Sequence, residues 1–213
     1  MKKNQTRKTP AEKRAQQQRQ QRLVYIITAV LILAITLTLL IVYGRKVTHR
    51  VAIEIENYGT VELELYGNTA PRTVKNFVKL CRLEFYDGLT FHRIIPGTLI
   101  QGGSPTGTPV GGAIDAVAGE FSMNGFDNPI KHERGVISMA RGQDYNSASS
   151  QFFILLKDYK SFDGQYASFG RVTKGLDVLD AISANASPAD SDGTIIPEEQ
   201  PRILSVTVRT VLF

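Results

Sequence analysis

The chain has 213 residues, enough for one domain with a buried core and one additional segment. Its formal net charge is +5, but eight Lys and Arg residues precede position 23, where Glu12 is the only acid. The remainder is close to neutral, so the charge is no argument for a nucleic-acid-binding domain. The single Cys81 excludes an intrachain disulfide, and His49, His92 and His132 lack metal-ligand spacing, so we expect no metal site.

Residues 1–22 are polar, basic and rich in Gln, and they contain no aromatic side chain. Proteins that bind single-stranded nucleic acids combine basic residues with aromatic rings for stacking, so we expect no nucleic-acid partner here. Without an apolar stripe, the segment is predicted to be a solvated tail.

Residues 23–43 form an almost unbroken apolar run, close to the roughly 20 residues that a helix needs to cross a bilayer. Its polar exceptions, Thr28, Thr36 and Thr38, can bond back to helix carbonyls. The run therefore predicts a transmembrane helix in contact with lipid, followed by a linker over residues 44–50.

Most of the basic residues precede this run, so the positive-inside rule predicts a cytoplasmic N-terminus and a C-terminal domain outside the cell membrane. A cleaved signal peptide is the alternative, because Val42, Tyr43 and Gly44 weakly match a cleavage site. The apolar run is longer than the usual 7–15 or so residues of a signal peptide, which favours a single-pass anchor.

From residue 51 the apolar positions alternate, which predicts a hairpin over residues 51–66 with one buried face. A helix follows, with Thr69 as a possible cap and Pro71 in its first turn. Apolar residues then recur at helical spacing up to Cys81, which is therefore expected in the core rather than acting as a nucleophile.

Residues 102–128 are rich in Gly, Pro, Ser and Asn and predict long loops, without the Gly-Lys-Ser/Thr ending of a phosphate-binding loop. Further strands are predicted at residues 135–141, 151–156 and 167–172, and a helix at 176–182. In a last strand, Leu204, Val206 and Val208 are expected on one face. The pattern is mainly β and predicts a closed antiparallel barrel capped by two helices.

Five short segments together resemble the cyclophilin-type peptidyl-prolyl isomerases. They are FHRIIPG at 91–97, QGG at 101–103, SMA at 138–140, SQFFI at 150–154 and FGRV at 169–172. The resemblance covers residues 51–213, and the segments at 128–135 and 163–167 look most like bacterial members. It implies an eight-stranded barrel and acceleration of rotation about X–Pro peptide bonds.

The resemblance also implies which residues act. Arg93 would be catalytic, and Gln101 would orient its guanidinium. The implied substrate-binding residues are His92, Leu99, Ala140, Arg141, Gln151, Phe153, Phe162 and Tyr166. Among these, residues 140–141 would pair through their backbone with the substrate, whereas Phe152, one residue before Phe153, should face the core.

Four positions depart from the usual pattern. Thr98 stands where most members place a Phe of the proline pocket, Phe162 replaces a Leu, and Tyr166 replaces a His seen in many eukaryotic members. We therefore expect a shallower pocket unless Phe162 refills it. Ser161 stands where sensitive members have a Trp that binds cyclosporin, so only weak cyclosporin binding is expected.

Rotation about an X–Pro bond breaks no covalent bond, so the implied reaction needs no nucleophile and no cofactor. Its substrates would be proline-containing unfolded or surface proteins outside the cytoplasm. A non-catalytic module that binds proline peptides, or acts as a chaperone at the membrane, is the alternative, and Thr98 is its best support. A hydrolase is not expected, because no Gly-x-Ser-x-Gly motif or paired His–acid signature is visible.

Overall fold

The protein was analysed as a computed structural model, which describes residues 10–44, 47–113 and 115–212. The chain divides into two compact units, Met1–Arg45 and Lys46–Phe213.

The first unit contains one long helix, α1, which spans Pro10–Gly44. The helix reaches back into the basic segment as far as Pro10, because Ala, Glu, Lys, Arg and Gln are strong helix formers. The side chains of residues 17–22 are exposed, and the cytoplasmic tail stays a prediction. Within the apolar part, the hydroxyl groups of Thr28 and Thr36 donate to the carbonyl oxygens of Val24 and Ile32, both at 3.0 Å. These contacts confirm that the polar exceptions are satisfied inside the helix.

The second unit is built around an eight-stranded antiparallel sheet in the order β3-β4-β6-β5-β7-β2-β1-β8. The strands are β1 (Val47–Ile55), β2 (Gly59–Tyr66), β3 (Arg93–Ile95), β4 (Leu99–Gly102), β5 (Val136–Met139), β6 (Phe152–Leu155), β7 (Ser168–Lys174) and β8 (Ile203–Leu212). The predicted mainly β fold with eight antiparallel strands is confirmed.

Closure of the barrel is not confirmed. The two ends of the strand order, β3 and β8, share no continuous ladder within the described residues. The segments before them meet only locally, where Thr90 and Arg202 form an isolated bridge. The sheet also begins earlier than predicted: β1 starts at Val47 and pairs with β2 from Thr48, so most of the expected linker over residues 44–50 belongs to the domain.

Two helices, α2 (Pro71–Arg82) and α3 (Leu176–Asn185), complete this unit. The predicted cap at Thr69 is wrong, because the helix is capped from a distance: both carboxylate oxygens of Glu120 accept from the N–H groups of Arg72 and Thr73, at 3.0 and 2.8 Å. Burial raises the pKa of Cys81 to about 12. This thiol is a core residue, as expected.

The last strand contains one local error of the sequence prediction. Glu54 pairs with Ser205 and Ile55 with Ile203, so Leu204 is the extra residue of a β-bulge. The bulge turns Leu204 outward, where it is 44% exposed, while Ile203 takes its place in the core. Alternation alone could not reveal this, because a bulge shifts the pleat by one residue.

Buried apolar side chains form two separate clusters. The larger lies between the sheet and the two helices and includes Phe152. The smaller consists of Leu99, Phe153 and Leu155, with partly buried aromatic residues packed against it. Neighbouring residues of one strand, Phe152 and Phe153, therefore face different clusters, as the strand period predicts.

Candidate active site

A cavity of about 700 Å³ lies beside β3, β4 and β6. Nine of the ten predicted site residues line it: Arg93, Leu99, Gln101, Ala140, Arg141, Gln151, Phe153, Phe162 and Tyr166. The tenth, His92, does not. The fold thus brings together residues that lie up to 73 positions apart in the sequence.

Strand register places the polar residues of this cavity. Arg93 on β3 pairs with Gln101 on β4, and Gln101 pairs in turn with Phe153 on β6. Directly after β4, Gly103 has a φ of +82°, and a Cβ there would lie 2.6 Å from the Ser150 carbonyl oxygen. Only glycine allows this close approach, which lets the chain leave β4 beside the start of β6.

A chain of hydrogen bonds links the polar side chains. Nη1 of Arg93 donates to Oε1 of Gln101 at 3.0 Å, and Nε2 of Gln101 donates to Oε1 of Gln151 at 2.9 Å. Nε2 of Gln151 donates to the carbonyl oxygens of Pro109 and Gly111 at 3.0 and 2.6 Å. The backbone of the loop region 102–128 therefore fixes Gln151, Gln151 fixes Gln101, and Gln101 in turn holds the Arg93 guanidinium.

A second loop holds the other side of the guanidinium. Nε of Arg93 donates to the carbonyl oxygen of Asp192 at 2.6 Å. Asp192 lies in a turn that is closed by Asp190, whose Oδ1 accepts from the N–H groups of Asp192 and Thr194, both at 3.0 Å. These donors lower the pKa of Asp190. With Nε and Nη1 engaged, Nη2 of Arg93 has no partner among the described residues.

Aromatic rings form an apolar wall of the cavity. The ring of Phe162 lies 4.8 Å from Tyr166 and 5.7 Å from Phe153, measured between centroids, and Tyr159 packs against Phe162 from outside the cavity lining at 4.3 Å. Phe153, Phe162, Tyr166 and Leu99 give an apolar surface that can receive a pyrrolidine ring.

Thr98 contributes no side chain to this wall. It is largely buried, and its hydroxyl lies 3.4 Å from the Pro96 carbonyl oxygen. Phe162 does line the cavity, so the ring that stands where most members have a Leu supplies apolar surface there.

A Ser–His–Asp arrangement lies behind the aromatic wall. His132 contacts Asp163 through Nδ1 at 3.1 Å and Ser138 through Nε2 at 3.0 Å. The expectation that the chain lacks a His–acid pair is therefore wrong. Ser138 is fully buried, however, so its hydroxyl cannot reach a substrate and the arrangement offers no hydrolase site. The His132 ring instead stacks against Phe153 at 6.4 Å, and burial lowers the pKa of His132.

A family model for cyclophilin-type peptidyl-prolyl cis-trans isomerases matches residues 50–208, about three quarters of the chain. The chain belongs to this family. A peptidyl-prolyl cis-trans isomerase of Helicobacter pylori is 45% identical over 129 residues, which are 59% of this chain and 76% of that protein. Isomerase B of Bacillus subtilis is 45% identical over 130 residues, or 61% and 87% of the two chains.

A further relative, from Acinetobacter baylyi, is 36% identical over 160 residues, which are 73% of this chain and 83% of that one. A solved cyclophilin of Cryptosporidium parvum, crystallised in the presence of the dipeptide Ala-Pro, has 31% identity and a TM-score of 0.66. The match covers 75% of this chain and 98% of that one. The cyclophilin fold and the enzyme class, peptidyl-prolyl cis-trans isomerase, are thereby shown for this chain.

His92 has different surroundings from those that the cyclophilin resemblance implied. It is fully buried, and neither ring nitrogen makes a hydrogen bond with the described residues, so we correct its assignment as a residue that contacts substrate. Arg141 lines the cleft as predicted, and its guanidinium lies 4.8 Å from the ring of Tyr145 and 4.9 Å from that of Tyr166. Ala140 donates its N–H to the Gln151 carbonyl oxygen at 2.9 Å, so a substrate strand would meet its carbonyl.

Sequence reasoning missed the cleft residues that come from loops. Pro109, Gly111, Asp192 and Thr194 line the cavity without any periodic signal. The one available signal was the Asp-Ser-Asp-Gly stretch at 190–193, since Asp followed by Gly predicts a tight turn. Nothing in that stretch shows which distant side chain its carbonyl groups meet.

Proposed function

We propose that this chain is a membrane-anchored isomerase that accelerates rotation about X–Pro bonds and assists the folding of proteins outside the cytoplasm, with Arg93 as its catalytic residue. The observation that carries the proposal is that two elements hold the Arg93 guanidinium in a cavity with an apolar wall, while its Nη2 has no partner among the described residues. The Ala-Pro dipeptide named with the Cryptosporidium relative supports proline-containing substrates.

The physical basis of catalysis is the change at the prolyl nitrogen. Amide resonance sets a barrier of about 18–20 kcal/mol, and twisting the bond localises the nitrogen lone pair. A guanidinium N–H can then donate to that nitrogen, which accepts poorly in the planar ground state. Because the contact strengthens only in the twisted state, it lowers the barrier instead of tightening substrate binding.

The remaining residues serve binding and orientation. Leu99, Phe153, Phe162 and Tyr166 would remove the pyrrolidine ring from water, and Gln101 would keep the Arg93 fork in plane with the cleft. The alternative is a module, or a chaperone at the membrane, that binds proline peptides without turnover. Retention of both Arg93 and Gln101 in a fixed arrangement favours the enzyme.

The test compares the full chain in a non-ionic detergent with Arg93→Ala and Arg93→Lys. Uncatalysed exchange takes tens to hundreds of seconds, so NMR exchange spectroscopy on an X–Pro peptide reports catalysis directly. We expect Arg93→Ala to lose about a hundredfold in rate or more, and Arg93→Lys to remain poor because an ammonium lacks the planar fork. Arg209→Ala, an exposed arginine outside the cleft, is the matched control. A peptide that binds without acceleration by the unmodified chain would establish the binding module instead.

The anchor belongs to the same proposal. The described helix contains one segment, Gln17–Thr38, long and apolar enough to cross a membrane, and its described side chains are exposed. Its position near the N-terminus, after most of the basic residues, supports a cytoplasmic tail and a domain on the outer side. We place the lipid contact at residues 23–43, where the apolar run lies.

Weak cyclosporin binding is part of the proposal as well. Ser161 is exposed in a short 3-10 helix, Lys160–Phe162, at the cleft edge. Relative to the Trp of sensitive cyclophilins it lacks an apolar face and a long-reaching donor, a loss of roughly 2–4 kcal/mol. Inhibition should be weaker by roughly one to three orders of magnitude. Ser161→Trp should recover much of that affinity with little change in peptide turnover, as inhibition titrations will report. Tight inhibition of the unmodified chain at nanomolar cyclosporin would contradict this role of Ser161.

A further inference from the structure

A second cavity, of about 770 Å³, lies along α2, away from the aromatic wall. Four cations of this helix line it: Arg72, Lys75, Lys79 and Arg82. Their spacing of three, four and three residues places them on one face of the helix. We call this cavity the basic groove.

The positive charge of the groove is only partly compensated. Lys79 pairs with Asp115 at 3.0 Å, and Asp115 is the only carboxylate among the described lining residues. Arg82 donates to the Thr210 hydroxyl at 3.1 Å. The side chains of Arg72 and Lys75 make no hydrogen bond or ion pair with the described part of the chain, so two cations remain free for a ligand.

A basic helix face is often no more than a solvated surface, but two features distinguish this one. Helix α2 contains no Asp or Glu at all, whereas solvated helix faces usually mix both signs of charge. In addition, the cations line a concave space that adjoins the active-site cleft, because Ala116 lines both cavities.

The contact between groove and cleft is direct. Asn76 of α2 donates through Nδ2 to the carbonyl oxygen of Ser149 at 2.6 Å, and Ser149 lines the cleft. A polypeptide bound in the cleft therefore has a short path into the groove. Among the described lining residues of the groove there is no Phe, Tyr or Trp, so it offers no stacking surface for nucleic-acid bases.

We propose that the basic groove is an extended subsite for acidic residues of the same polypeptide whose X–Pro bond occupies the cleft. This inference rests on the proposed isomerase function and narrows its substrate class to proline segments with Asp or Glu nearby. Charge complementarity and the continuity of the two cavities carry it. The attraction acts through exposed cations, so it is screened by salt.

The test uses the full chain in a non-ionic detergent and peptides that share one X–Pro core. Extensions of four Glu or four Gln residues are placed on either side of the core, because the groove does not fix the chain direction. We expect one of the Glu peptides to bind about three- to tenfold more tightly than its Gln counterpart at low salt, and this preference to vanish near 0.5 M salt. Fluorescence anisotropy gives the affinities, and NMR exchange gives turnover.

The double variant Arg72→Gln with Lys75→Gln should abolish the preference and leave turnover of the Gln peptides unchanged. Lys157→Gln with Arg209→Gln removes the same charges at exposed positions outside the groove and is the matched control. Equal affinity of Glu and Gln peptides for the unmodified chain, or an equal loss of preference in the control, would overturn the proposal. If the isomerase function itself fails, no peptide is turned over, yet the affinities still decide whether the groove selects acidic chains.

Discussion

At the scale of single residues, His92 is a buried polar side chain without a partner in the described part of the chain. It directly precedes β3, is fully buried and has no hydrogen bond on either ring nitrogen among the described residues. Burial, and then the charge of Arg93, lower the pKa of His92 to about 4. The ring is therefore neutral near pH 7 and adds no second cation next to Arg93.

This burial makes stability depend on pH. A histidine whose folded pKa lies below its unfolded value of about 6.5 leaves the protein fully stable above pH 6.5 and destabilises it as the pH falls towards 4. The shift corresponds to a loss of up to about 3 kcal/mol in the free energy of unfolding. Denaturant titrations of the full chain between pH 4 and pH 7 should show it. His92→Gln should flatten the profile, whereas His49→Gln, at a half-exposed site, should keep most of the slope. An unchanged slope in His92→Gln would show that His92 is not the group responsible.

Sequence alone predicted the residue types of the site well, but not their partners. Arg93, Gln101 and Gln151 were expected together, and the cleft brings them together. The hydrogen bond between His132 and Ser138 could not be predicted from the sequence, although the two residues are only six positions apart. Whether this pair can reach a substrate depends on its burial behind the aromatic wall, which the sequence does not show. Side-chain chemistry is local, whereas burial is a property of the whole fold.

At the scale of elements, a neighbouring strand and a distant loop together fix the Arg93 side chain. Strand β3 has only three residues, and the Arg93 guanidinium is fixed by Gln101 on one side and by the Asp192 carbonyl oxygen on the other. The same loop pairs with β3 through an isolated bridge between Thr194 and Arg93. The turn at Asp190 therefore helps to fix the orientation of the Arg93 guanidinium.

We expect Asp190→Ala to loosen this turn and to lower kcat several-fold with little change in KM, because Arg93 acts mainly in the twisted state. Asp190→Asn keeps the Oδ1 acceptor and should recover most of the rate. The pKa of Asp190 is lowered in the folded chain, so the part of the stabilisation of the turn that depends on its negative charge is present above the ordinary carboxyl range and is lost as the pH falls through the folded pKa. An equal fall in kcat in both variants, or a change in KM alone, would contradict the prediction that Asp190 positions Arg93.

Elements with strong periodicity were predicted correctly, and those set by distant contacts were not. The β1–β2 hairpin and the buried face of α2 follow from local patterns. The bulge at Leu204 and the Glu120 cap of α2 depend on partners 47 or more positions away. No local pattern carries that information.

At the scale of the whole molecule, the chain joins one apolar helix to one enzyme domain of the cyclophilin family. The buried Cys81 makes the topology of the chain testable. Its thiol is 3% exposed and burial raises its pKa to about 12, so it should not react with a membrane-impermeant maleimide in the folded protein. Maleimide labelling of a cysteine introduced elsewhere can then be measured without a contribution from Cys81.

Lys157→Cys places a thiol on an exposed residue of the domain, and Asn4→Cys places one in the basic segment. If the basic segment is retained in the cytoplasm and the domain faces outward, intact cells should label the first variant fully. They should label the second only after lysis. The unmodified chain is the control and should stay unlabelled in both conditions. The reverse labelling pattern would show that the N-terminus lies outside and the domain in the cytoplasm. A released protein whose N-terminus begins at Arg45 would show that the apolar helix is a cleaved signal sequence, because a helix that holds the domain at the membrane must remain covalently attached to it.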